Sequence, residues 1–109
     1  MYVMHNNRML QYMLDPKTLS GATMTHVASV DTTDPEKAYR LTNHFERDWT
    51  QNPGVRALQG QHRSTSVGDL LVEGTPGDTG SKHLVVEPAG TRELTLEEVC
   101  SLTFFLPTK

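Results

Sequence analysis

The sequence predicts an α+β domain: a small antiparallel sheet of three to four strands, one main helix and a short C-terminal helix. Three observations lead there. Residues 23 to 30 alternate in the manner of a half-buried strand, residues 34 to 36 carry the signature of a helix start, and residues 67 to 98 read as a strand meander ending in a capping box. The domain is expected over residues 23 to 109, with residues 1 to 22 as an N-terminal extension.

The extension holds four of the five methionines, within Met1 to Met13, and shows no capping or turn logic before Asp15-Pro16. Met9, Leu10, Met13 and Leu14 fit a helix, while Leu10, Tyr12 and Leu14 also fit a strand, and period alone does not arbitrate so short a run. After Ser20-Gly21, the stretch Thr23 to Val30 sets Met24, His26, Ala28 and Val30 on one side and hydroxyl residues on the other. Asp34 can cap the free N–H groups that follow it, Pro35 suits the first helical position, and Glu36 complements the positive end of the dipole. The helix is expected over residues 35 to 48. Ala38, Leu41, Phe45 and Trp49 form its inward stripe, and Asn52-Pro53-Gly54 stops it.

A polar connection leads to a buried strand over Val67 to Glu73, then to the glycine-rich loop Gly74 to Gly80 and the partner strand Lys82 to Glu87. Pro88-Ala89-Gly90 turns the chain into a short strand at Arg92-Glu93-Leu94. Thr95-Leu96-Glu97-Glu98 then opens a last helix that would bury Leu96, Val99 and Leu102.

Composition narrows the function classes. Leu and Val number 12 and 9 with no Ile, enough for one folded core in 109 residues. The net charge is −3, with Lys and Arg scattered singly, so no clustered positive surface for phosphates is legible and a nucleic-acid partner is not expected. The deficit falls in the C-terminal part: residues 63 to 109 carry seven acidic and four basic side chains, against six of each in residues 1 to 62. Asp69, Glu73, Asp78, Glu87, Glu93, Glu97 and Glu98 either keep a small domain soluble or form an acidic face toward a basic partner, with Glu87, Glu93, Glu97 and Glu98 as the candidates for such a face. Cys100 is the sole cysteine, which rules out an internal disulfide framework and points to a reducing, cytoplasmic setting. No apolar run is long enough to span a membrane, and no signal-peptide core is evident.

The most specific run is Arg63-Ser64-Thr65-Ser66-Val67-Gly68-Asp69, a hydroxyl-rich approach turning through a Gly-Asp corner into an apolar strand. Its hydroxyls suit a sheet entry, Gly68 permits a close approach or bulge, and Asp69 can accept bonds from the loop. Arg63 has two open roles, pairing inward with an acid or reaching outward to a ligand anion. His62 beside Ser64 and Ser66 only superficially resembles base and nucleophile, because no GxSxG elbow is present and strand neighbours point apart. The five histidines lie at no metal-ligand spacing, and the loop at 74 to 80 lacks the Lys-Ser/Thr ending of a phosphate-binding loop. No catalytic residue, metal site or cofactor is expected. Trp49 stands as either a core residue or an interface anchor.

Leu41-Thr42-Asn43-His44, then Trp49, Asn52-Pro53-Gly54-Val55 and the Arg63 to Asp69 run resemble, in order and spacing, the small YodL-like domains of bacteria, phages and conjugative elements. The resemblance covers residues 24 to 95. It implies a mobile-element accessory protein, of a kind with no established enzymatic activity, and no enzyme is expected. The expected function is non-enzymatic binding to a host protein, including counter-defence inhibition of the anti-CRISPR or nucleic-acid-mimic kind, with Arg63, Ser64, Ser66, Asp69, Trp49 and the four glutamates as contact residues. The alternative is a small-barrel module that reads nucleic acid or a ligand along the Arg63 to Asp69 rim.

Overall fold

The computed structural model describes residues 1–44, 48–58 and 62–107. Its element order is β1 (Tyr2–Asn6), α1 (Met9–Leu14), β2 (Thr23–Val30), α2 (Pro35–Thr42), β3 (Val55–Ala57), β4 (Leu70–Glu73), β5 (Lys82–Glu87), β6 (Gly90–Glu93), α3 (Leu96–Ser101) and β7 (Thr103–Phe105), with short 3₁₀ turns at Pro16–Leu19 and Trp49–Gln51. The expectation of three to four strands is corrected. The strands form one seven-stranded sheet in the order β3-β2-β1-β4-β5-β6, with β7 also on β2, and the helices are minor. All pairings are antiparallel except β2 with β7, which is parallel.

The second correction concerns residues 1 to 22. Instead of an extension, they supply β1, an inner strand hydrogen-bonded to β2 on one side and to β4 on the other. They also supply α1, whose Tyr12 is buried in the core. Strand alternation does not reveal β1, because both of its faces are covered. Met4 packs with Tyr12, Leu19, Met24, Leu70, Val72, Val85, Val99 and Leu102 on the face under α1 and α3. Val3 packs with Ala28, Val30, Ala38, Trp49, Leu71, Leu84 and Val86 on the face under α2. The same two-sided cover makes β4 and β5 read as unbroken apolar runs.

In β2 the bounds are as expected, but the side assignment changes midway. Val3 faces Ala28 while Met4 faces His26, so Val27 is an extra residue in the ladder. This bulge sends Met24 to one core and Ala28 and Val30 to the other. His26 is half-buried, with its ring 4.9 Å from that of Tyr2 and its Nε2 3.2 Å from the Ser29 hydroxyl.

Helix α2 starts as expected, the Asp34 carboxylate accepting from the Glu36 N–H. It ends at Thr42 rather than 48. The carbonyl of Thr42 is taken by the Thr65 N–H, and that of Leu41 by the Asn52 amide. Thr42 also turns its own hydroxyl back onto the Ala38 carbonyl. Phe45, expected on the inward stripe, lies outside the described residues. The last helix forms with the reciprocal capping box of Thr95 and Glu98, burying Val99 and Leu102 but leaving Leu96 60% exposed.

Candidate functional site

The Arg63 to Asp69 run is an internal lock. Asp69 is fully buried and its carboxylate accepts four hydrogen bonds: from Arg63 Nη1 at 2.6 Å and Nη2 at 2.7 Å, from the Asn6 N–H at 2.8 Å and from the Ser66 N–H at 2.8 Å. This fills the acceptor capacity of a carboxylate. The guanidinium also donates to the carbonyls of Asn6 and Ser64. Of the two roles open to Arg63, the inward one is realised, and its planar fork matches the carboxylate in the bidentate manner.

The remaining residues of the run are tied to other segments. Ser64 donates its hydroxyl to the His44 carbonyl, the Thr65 hydroxyl shares a 3.0 Å hydrogen bond with His5 Nε2, and the Asn43 amide donates to the Thr65 carbonyl. Ser66 contributes its backbone N–H to Asp69. Gly68 adopts φ +94°, and a Cβ there would sit 2.9 Å from the Tyr12 ring, so only glycine lets α1 close over the corner. Trp49 is a core residue, 2% exposed, its indole N–H donating to the Arg63 carbonyl. His5 lies behind the cluster, its Nε2 3.9 Å from Asp69 Oδ2. Burial holds its pKa down at about 4, overcoming the upward pull of Asp69 and aided by the Arg63 charge. Among the described residues, no buried side-chain polar atom lacks a partner.

The four glutamates do not form one free acidic array. Arg92 donates from Nη1 and Nη2 to the two oxygens of Glu98, at 3.0 and 3.1 Å, and from Nε to Glu87, which also accepts from the Tyr12 hydroxyl. The hydrogen bonds from Arg92, reinforced by the capping N–H of Thr95, hold the Glu98 pKa below the usual carboxylate range. Only Glu93 and Glu97 are exposed, on β6 and on the first turn of α3 respectively.

What sequence reasoning missed is a groove of about 530 Å³ between the start of α2 and the β5–β6 turn. Tyr39, Val67, Val86, Pro88 and Ala89 supply apolar lining, and Asp34 and Glu36 carry charge at its α2 side. Thr91 of β6 closes its other wall. The turn Pro88-Ala89-Gly90 was legible, but its position opposite Asp34-Pro35-Glu36 depends on the packing of α2 across the sheet, which no local pattern encodes. The volume suits a side chain or small ligand, although the groove brings together no nucleophile with a base.

Comparison with known proteins finds no matching family model, no matching curated protein and no matching solved structure. No helix among the described residues is long and apolar enough to cross a membrane.

Proposed function

We propose that this chain is a non-enzymatic protein-binding module, an accessory protein of a phage or mobile element that acts on a host protein in the cytoplasm without a cofactor. One observation carries the reading. The Arg63 guanidinium, the Asp69 carboxylate and the hydroxyls of Ser64 and Thr65, the chemistry-bearing groups of the most specific run, are bonded within the protein itself and hold it together. Function then falls to the surface, where the groove combines apolar lining with a negative rim, the composition of a contact site for a partner chain. The resemblance to YodL-like domains supplies the phage and mobile-element setting.

The test has two steps. The whole chain is used to capture partners from a bacterial lysate, and the captured protein is then purified and titrated against it by calorimetry. A saturable, stoichiometric complex is the expected result. If no purified candidate binds while the chain converts a small-molecule substrate, the reading is wrong.

A further inference from the structure

We propose that the free edge of β6, with the groove beside it, receives an extended segment of a partner protein as an added strand with basic side chains at alternate positions. This rests on the protein-binding reading above and names the surface and the class of partner segment.

Strand β6 ends the sheet. Its pairing with β5 sets Leu84 against Glu93, Val85 against Arg92, Val86 against Thr91 and Glu87 against Gly90. The Leu94 N–H donates to the His83 carbonyl at 2.9 Å in this same register. Antiparallel ladders alternate hydrogen-bonded and non-bonded pairs, so Arg92 and Gly90 bond to β5 while Thr91 and Glu93 direct their N–H and C=O groups out of the sheet. The opposite strand agrees: the Val86 N–H donates to the Asp69 carbonyl and the Val86 carbonyl accepts from Gly68, so both its groups serve the β4 side. Thr91 and Glu93 are exposed, and they offer two donors and two acceptors along an edge that no described strand covers.

The side chains along this edge choose the occupant. Side chains alternate across the sheet, so Thr91 and Glu93 share the face of their partners Val86 and Leu84, which is the face covered by α2 and bordered by the groove. Arg92 projects to the other face, where Glu98 and Glu87 neutralise it. An incoming strand therefore meets Glu93 beside it and Asp34 across the groove, with Glu36 next to Asp34 shared with Arg40 at 3.2 Å and the apolar lining of Tyr39, Val67 and Val86 between. A Cβ built at Gly90 would meet nothing within 4 Å, so the approach at the turn end is open. Lys and Arg carry an aliphatic stem for that lining and a cation for the rim. A second copy of this chain fits less well, because two-fold pairing through Thr91 and Glu93 would set Arg92 opposite its own copy.

The probe is a short peptide alternating lysine with threonine and valine, with a counterpart carrying glutamate for each lysine, titrated into the isotope-labelled whole chain by NMR. The lysine peptide is expected to shift the amides of Gly90, Thr91 and Glu93 together with Tyr39 and Val86. The glutamate peptide is expected to bind about tenfold more weakly or worse, since like charges oppose each other across the pair. Thr91→Pro removes an outward N–H without touching the β5 ladder and should abolish the shifts, while Glu93→Lys should weaken binding about fivefold with an unchanged far-ultraviolet spectrum. Shifts elsewhere on the molecule, equal binding of both peptides, or binding that survives Thr91→Pro in a folded chain would overturn the proposal. A captured host protein that binds both variants as tightly as the parent chain would also overturn it while leaving the protein-binding reading intact. Peptide binding at β6 with no host protein recovered would support the edge and count against that reading.

Discussion

At the scale of single residues, the corner formed by Asn6, Arg63, Ser66 and Asp69 shows how a buried charge is made tolerable. A carboxylate removed from water is costly unless each lone pair meets a donor, and here four donors meet it. Gly68 sits at the same corner for a steric reason: its φ of +94° and the Tyr12 ring 2.9 Å from a built Cβ leave no room for a side chain. Gly68→Ala should therefore destabilise the protein by about 2 kcal/mol in urea unfolding, and a loss below about 0.5 kcal/mol would show that the corner relaxes freely.

His5 gives the protein a pH dependence whose sign follows from its environment. Its folded value of about 4 lies below the 6.5 of an ordinary histidine, so the fold holds the neutral ring. This contribution is fully present above pH 6.5 and fades as the pH falls through 4. As the pH falls from 6.5 to 4 the unfolded chain takes up the proton first, and the stability lost over that interval is on the order of 3 kcal/mol. Stability measured across that range should fall more steeply for the parent chain than for His5→Asn, and parallel curves would contradict the assignment.

At the scale of elements, legibility followed local chemistry. The start of α2 at Asp34-Pro35, the capping box of α3, and the bounds of β2 and β5 were all readable, because caps, alternation and turn residues act over a few positions. Hidden from the sequence were β1, β3 and β7, together with the end of α2. Strand β1 lacks alternation because it is covered on both faces, β3 and β7 have three residues each, and α2 is stopped by hydrogen bonds from residues far along the chain. Of the candidate site residues, Arg63, Ser64, Ser66 and Asp69 stand in one run that the sequence marks out, but their inward closure needs Asn6 and His44, which come from other segments. A core role for residues 1 to 22 carries its own test. Met4 is completely buried, so Met4→Ala should cost about 3 kcal/mol, whereas a residue in a loose appendage would cost almost nothing.

At the scale of the whole molecule, the corner connects parts distant in sequence. Arg63 and Asp69 reach β1 through Asn6, Thr65 and Asn43 tie the run to the end of α2, and the Trp49 indole bonds to the Arg63 carbonyl between them. Because β1 lies between β2 and β4, loosening this corner disturbs the middle of the sheet rather than a margin. The outer edge at β6 is different: its outward groups serve no described strand, so it can change partners without cost to the core. This division, an interior that consumes the polar run and a margin left for contact, is what the functional reading depends on. Its most direct test is a double-mutant cycle on Arg63 and Asp69 read by global urea unfolding. The account predicts that Arg63→Ala and Asp69→Ala each destabilise the whole fold and that the pair is coupled by about 2 kcal/mol or more. An Arg63→Ala chain as stable as the parent within about 0.5 kcal/mol would contradict it, because the guanidinium would then be free to meet a ligand.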